Sequence, residues 1–131
     1  MSPPLTYYWA QVKQSFSKRS KDTSFRTDPF IDLILASTAL PYQARVLCLG
    51  PRNAGELQAW RARGYRRLLG VDLLPIQDPA ARVGDMHRLP CTSDWADVLY
   101  ASHCFEHAYD FERVAHEVVR VLKVGGWLFA A

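Results

Sequence analysis

The chain has 131 residues, 49% of them hydrophobic and 22% charged, with 16 Lys and Arg against 13 Asp and Glu. That length supports one domain with a real core but is short for a complete enzyme of the doubly wound class, and the composition excludes disorder throughout. The formal net charge is +3, its basic residues are spread over 18–21, 52–67 and 113–123 rather than gathered in one stripe, and no run approaches the roughly 20 apolar residues of a membrane span, so neither nucleic acid nor a membrane is the expected partner.

Leu5, Tyr8, Trp9, Val12 and Phe16 recur at helical spacing and predict an amphipathic helix that lays aromatics on the main domain. The polar run Ser17 to Ser24 reads as a solvated connector, or else as a basic lip for an anionic substrate. A second short helix is expected from Phe30 to Ser37, with Asp28 as its cap and Pro29 in its first turn. Residues 1–44 thus form an N-terminal helical segment, and 45–131 a separate α/β unit.

From Arg45 onward strands and helices alternate. Val46 to Leu49 is a continuous apolar run, the mark of a parallel strand covered on both faces. Asn53 with Glu56 three residues on predicts a capping box, Leu57 and Trp60 a buried stripe, and Gly64 the helix end. Strands follow at Arg67 to Asp72, Ala81 to Val83 and Ala96 to Ser102. Phe111, Val114, Ala115, Val118 and Leu122 make a helical stripe capped by Asp110 and closed by Lys123 and Gly125, and Gly126 to Ala131 is a fifth strand. Right-handed crossovers give the expected strand order 3-2-1-4-5 in a Rossmann-like parallel sheet with helices on both faces. Cys48, Cys91 and Cys104 are odd in number and lack metal-ligand spacing, so they read as reduced thiols of a cytoplasmic protein. No metal is expected.

The run Arg45 to Leu57, with its Gly50 turn, is followed about 20 residues on by Gly70-Val71-Asp72, the spacing of a nucleoside-binding βαβ unit. Such a turn aims backbone N–H groups into a crevice, and an acid ending the next strand accepts from both ribose hydroxyls. With Gly84 to Pro90, Ala96 to Tyr100, Phe105-Glu106-His107 and Glu117 to Gly126, the segment 45–131 resembles the N-terminal two-thirds of a class I S-adenosylmethionine-dependent methyltransferase of the type 11-like group. The resemblance implies S-adenosylmethionine as cofactor and a small-molecule methyl acceptor. It puts Gly50 and its neighbours Arg52 and Asn53 against the methionine part, Asp72 on the ribose, Leu73 beside the adenine, Asp85 at the adenine amino group, Met86 at a ring nitrogen, and Ser102 near the sulfonium. His103 and His107, just past the fourth strand, are the candidate bases.

Plainer readings stand beside these roles. Asp72 also fits a turn cap, Asp85 a turn former, Met86 core filler, and Glu56 the capping box rather than a ligand's amino group. Arg52 either meets the cofactor carboxylate or points into water. The turn departs from a glycine-rich pattern, since Pro51, Arg52, Asn53 and Ala54 follow Gly50. Glu56 and Leu57 stand where a phosphate-binding loop needs Lys and Ser or Thr, which excludes that class. The resemblance also implies two further strands beyond residue 131. Without them the strand 126–131 is an apolar edge, expected to pair with a second copy or a partner chain, or else the sequence is a fragment; the alternative function is then a non-catalytic cofactor-binding or interaction protein, a truncated fragment or pseudoenzyme.

Overall fold

The computed structural model describes residues 5–18 and 24–131. Two helices, α1 (Leu5–Lys18) and α2 (Ser24–Ser37), precede β1 (Arg45–Leu49), α3 (Gly55–Ala62), β2 (Arg67–Asp72), β3 (Ala81–Val83), β4 (Ala96–Ala101), a 3₁₀ turn (Phe105–His107), α4 (Phe111–Val121) and β5 (Leu122–Ala130). The strands form one parallel sheet in the order β3-β2-β1-β4-β5, as the crossover rule predicts. Central β1 is buried on both faces, which is why its sequence shows no alternation.

The two faces carry separate cores. Val46, Cys48, Val98 and Tyr100 meet Ile31 and Ile34 of α2 and Leu57 and Trp60 of α3. Leu47, Leu49, Leu99 and Ala101 meet Val114, Val118 and Val121 of α4. Trp60, Leu57 and Val114 are fully buried, each worth roughly 1.5–3 kcal/mol of apolar transfer. Glu117 and Arg120 of α4 hold the 89–93 loop, Glu117 accepting from the Leu89 amide and Arg120 donating to the Leu89 and Cys91 carbonyls.

Four local expectations change. Helix α2 begins at Ser24, so Pro29 lies inside it, and Asp28, instead of capping, pairs with Arg63 at 3.1 Å. A single proline near the start of a helix removes one donor, a loss that burying Ile31 and Ile34 outweighs. The capping box is absent: α3 starts after Ala54 with no side-chain cap, Asn53 Oδ1 accepts instead from the Gly55 amide at 2.8 Å, and Glu56 turns inward. Helix α4 is capped by Asp110 but stops at Val121, and Leu122 already belongs to β5. On α1, Leu5 and Trp9 are exposed while Tyr7 and Tyr8 face the domain. The side chains of Val12 and Phe16, and the connector at 19–23, lie outside the described residues.

Candidate functional site

The carboxyl ends of four strands, β1, β2, β3 and β4, converge where the 3₁₀ turn begins. The turn after β1 is held against β2 by the Gly50 amide, which donates to the Val71 carbonyl at 2.8 Å. Gly50 sits at φ +61°, and a Cβ there would stand 3.0 Å from Cys104 Sγ, so both conformation and close approach call for glycine. Arg52 also takes a left-handed conformation, φ 62°, as does His103 at φ 53°. Non-glycine residues are strained there, and such strain clusters at ligand-binding turns.

Asp72, 7% exposed at the end of β2, accepts the Arg52 amide on Oδ2 (3.0 Å) and the Leu74 amide on Oδ1 (3.2 Å). Two backbone donors align the carboxyl group, and each oxygen retains a lone pair for a ligand hydroxyl. Around it opens a cleft lined by Gly50, Arg52, Asp72, Leu73, Asp85, Met86, His103 and His107, together with Tyr7, Gln11, Val71, Gly84 and Cys104. A smaller chamber continues from it past Gly50, Arg52 and His103 and is closed by Thr27, Pro51, Glu56 and Ser102. Eight of the ten residues picked from sequence therefore line the larger cleft, and Ser102 lines the chamber. Asn53 lines neither, because its side chain is spent on the Gly55 amide.

Four residues outside those ten also contribute. Glu56 is 5% exposed, and its Oε1 is buried without a hydrogen-bond partner. Burial, reinforced by nearby Asp72 and only partly offset by Arg52, pushes its carboxyl up to about 8. The capping-box pattern concealed it, and the clue was Gly55 beside it, a poor helix former at that place. Cys104 approaches Met86 Sδ at 3.7 Å; burial, then Asp72, Glu56 and Glu106, push its thiol up to about 12, so it serves as an apolar wall and not a thiolate nucleophile. Tyr7 and Tyr8 come from α1, 42 residues or more before the turn in sequence; helical spacing puts Tyr8 on the inward face, but the partners the two rings meet there are tertiary contacts that periodicity does not encode. Asp85 accepts from the Tyr8 hydroxyl and from His87, and these donors outweigh its burial and lower its carboxyl below the usual range.

His103 is exposed at the rim, with its amide donating to the Ala131 carbonyl at 2.6 Å. His107 ends the 3₁₀ turn with Nε2 at 3.8 Å from Glu106 Oε1. Among the described residues no three His, Cys, Asp or Glu side chains gather as a metal site, and no helix is long and apolar enough to cross a membrane.

A family model described as a methyltransferase domain matches residues 47–130. Among solved structures, a candidate S-adenosyl-L-methionine-dependent methyltransferase of Methanococcus maripaludis is 16% identical, covering 100% of this chain and 67% of that one with a TM-score of 0.67. A candidate sarcosine dimethylglycine methyltransferase of Galdieria sulphuraria is 26% identical over 76% of this chain and 44% of its own, TM-score 0.58. A candidate methyltransferase solved with the Trm112 methyltransferase activator of Haloferax volcanii is 22% identical over 99% and 61%, TM-score 0.63. The chain thus spans about half the length of several of the structures it matches. No curated protein sequence matches it.

Proposed function

Because the chain belongs to the methyltransferase-domain family, with the class I S-adenosylmethionine-dependent fold, we propose that it binds S-adenosylmethionine in this cleft and directs its methyl group to a small-molecule acceptor. The observation that carries the reading is the pairing of Asp72 with the Glu56 chamber on one continuous surface. A buried carboxyl with one oxygen unpartnered, within electrostatic reach of Arg52, is the chemical complement of an α-ammonium carboxylate. Asp72 suits a ribose diol, with Leu73, Asp85 and Met86 suited to the base. The residues fit the cofactor.

When bound, the cofactor supplies an electrophilic methyl carried on sulfonium. The work left to the chain is to align the acceptor with that methyl and keep water out. Tyr7 and Gln11 of α1 line the cleft from outside the sheet and suit that screening role. A base helps only an acceptor that carries a proton; His103 and His107, at the rim just past β4, are the candidates. Three free thiols among the described residues accord with a cytoplasmic setting.

Isothermal titration of the chain with S-adenosylmethionine and S-adenosylhomocysteine, with Asp72→Ala as control, tests the reading. Saturable micromolar binding lost in the variant supports it; a folded chain that binds neither overturns it.

One observation favours a second reading, a non-catalytic interaction protein. Edge strand β5 pairs on one side with β4, while Val124 is fully exposed and Trp127 and Leu128 are about half exposed. Such an edge invites another strand, from a second copy or a partner chain through 126–131. Sedimentation of the chain as a monomer at high concentration would count against self-association.

A further inference from the structure

The turn after β3 carries a hydrogen-bond chain that cofactor binding alone does not explain. His87 is 2% exposed, stacked on Tyr109 at 3.6 Å, with the Tyr7 ring edge-on at 5.9 Å. Its Nε2 accepts the Asp110 amide, at the cap of α4, at 3.3 Å. A neutral imidazole has one donor and one acceptor. With Nε2 accepting, Nδ1 carries the hydrogen and donates to Asp85 Oδ1 at 2.6 Å. The His87 amide donates to that same oxygen at 2.8 Å. On the other side the Tyr8 hydroxyl donates to Oδ2 at 2.9 Å.

An ionised carboxylate offers about four acceptor positions. Three on Asp85 are filled by groups from α1 and the β3 turn, and His87 is itself pinned by α4. Asp85 lines the cleft, so the fourth position, on Oδ2, is what it can offer a ligand.

We propose that His87 and Tyr8 are positioning residues that reduce Asp85 to a single hydrogen-bond acceptor, which selects a base bearing an exocyclic amino group over one bearing a carbonyl at the same place. The proposal rests on the adenosyl reading above. An amino group donates into the open position, whereas a carbonyl oxygen meets it lone pair to lone pair and leaves a half-buried carboxylate without its partner, the situation in which polar sites discriminate most strongly. Neither holder touches the ligand to do this. His87 fixes the plane of the carboxylate and Tyr8 occupies the position a reoriented base would otherwise use.

The test is calorimetric titration of the whole chain with S-adenosylhomocysteine and with its 6-oxo analogue S-inosylhomocysteine. The wild-type chain is expected to favour the adenosyl compound by about tenfold or more. His87→Ala brings that ratio near one, and His87→Asn, whose amide can take the place of Nδ1–H, restores most of it. Tyr8→Phe, on the half-buried face of α1, narrows the ratio about threefold and keeps the proposal testable should the alanine variant not fold. Equal losses for both ligands, with the ratio unchanged in Tyr8→Phe and His87→Ala, would make these residues scaffold only and overturn the proposal. A wild-type chain that binds both ligands alike overturns it while leaving the cofactor reading intact. One that binds neither overturns the cofactor reading itself.

Discussion

Two acids stand on the walls of the same site and have opposite surroundings. Asp85 has three donors from its own protein and a lowered carboxyl. Glu56 is more deeply buried, has an oxygen with no partner, and is pushed up to about 8. Burial raises both, so the difference lies in the donors supplied. The Asp85 end is prepared before a ligand arrives; the Glu56 end is neutral at pH 7 and its charge must be called out by a cation.

The largest effect that separates the two is on stability. Glu56 titrates near its model value of 4.5 when unfolded and near 8 when folded, so the folded state binds the extra proton between those values. The stability it contributes is fully present below about pH 4.5 and declines as pH rises through 8, by on the order of a few kcal/mol. Glu56→Gln, which cannot ionise, should flatten that decline in urea titrations from pH 5 to pH 9. A slope unchanged in the variant would mean Glu56 is not the group responsible.

Next in size is ligand affinity. An ammonium needs the ionised carboxylate, so S-adenosylhomocysteine should bind more tightly as pH rises from 6.5 to 8, with proton release visible as a buffer-dependent heat. At pH 8, Glu56→Gln should weaken it by roughly tenfold or more, the size of a lost charge-assisted bond, and leave 5′-methylthioadenosine, which has no amino-acid end, unaffected. Equal weakening of both would place Glu56 in the scaffold rather than the site. Asp85→Asn sharpens the contrast from the other end: it should weaken both compounds alike, since both carry the base. The smallest effect belongs to Tyr8→Phe, expected to cost about 0.5–1 kcal/mol in thermal unfolding because one partly solvated hydrogen bond is lost.

Much of this architecture is legible in the residues. Apolar β1, the glycine turn at Gly50, the acid at Asp72 and the α4 cap at Asp110 are local signals, and the strand order follows from handedness. What sequence conceals is local pattern overridden by burial. Asn53 and Glu56 have capping-box spacing, yet the helix starts later and Glu56 is buried under the turn, lining a chamber with Thr27 and Ser102. Pro29 marks a first turn by rule, yet α2 runs through it because Ile31 and Ile34 are core. The stripe on α1 suggests Leu5, Tyr8 and Trp9 as the inward face; Tyr8 does face the domain and donates to Asp85, but Leu5 and Trp9 are exposed and the Tyr7 ring, off the stripe, meets His87 edge-on. Among candidate site residues, those in the turn and strand ends were recoverable from motif order, whereas Tyr7, Tyr8 and Glu56 depend on contacts between distant elements.

The most direct measurement of the central claim is an amide-resolved NMR titration of the chain with S-adenosylhomocysteine. The account predicts saturating shifts at the amides that frame the cleft acids, Gly50, Arg52, Leu74 and His87, with β5 amides unmoved. Shifts confined to β5, or none at all in a well-dispersed spectrum, would contradict it.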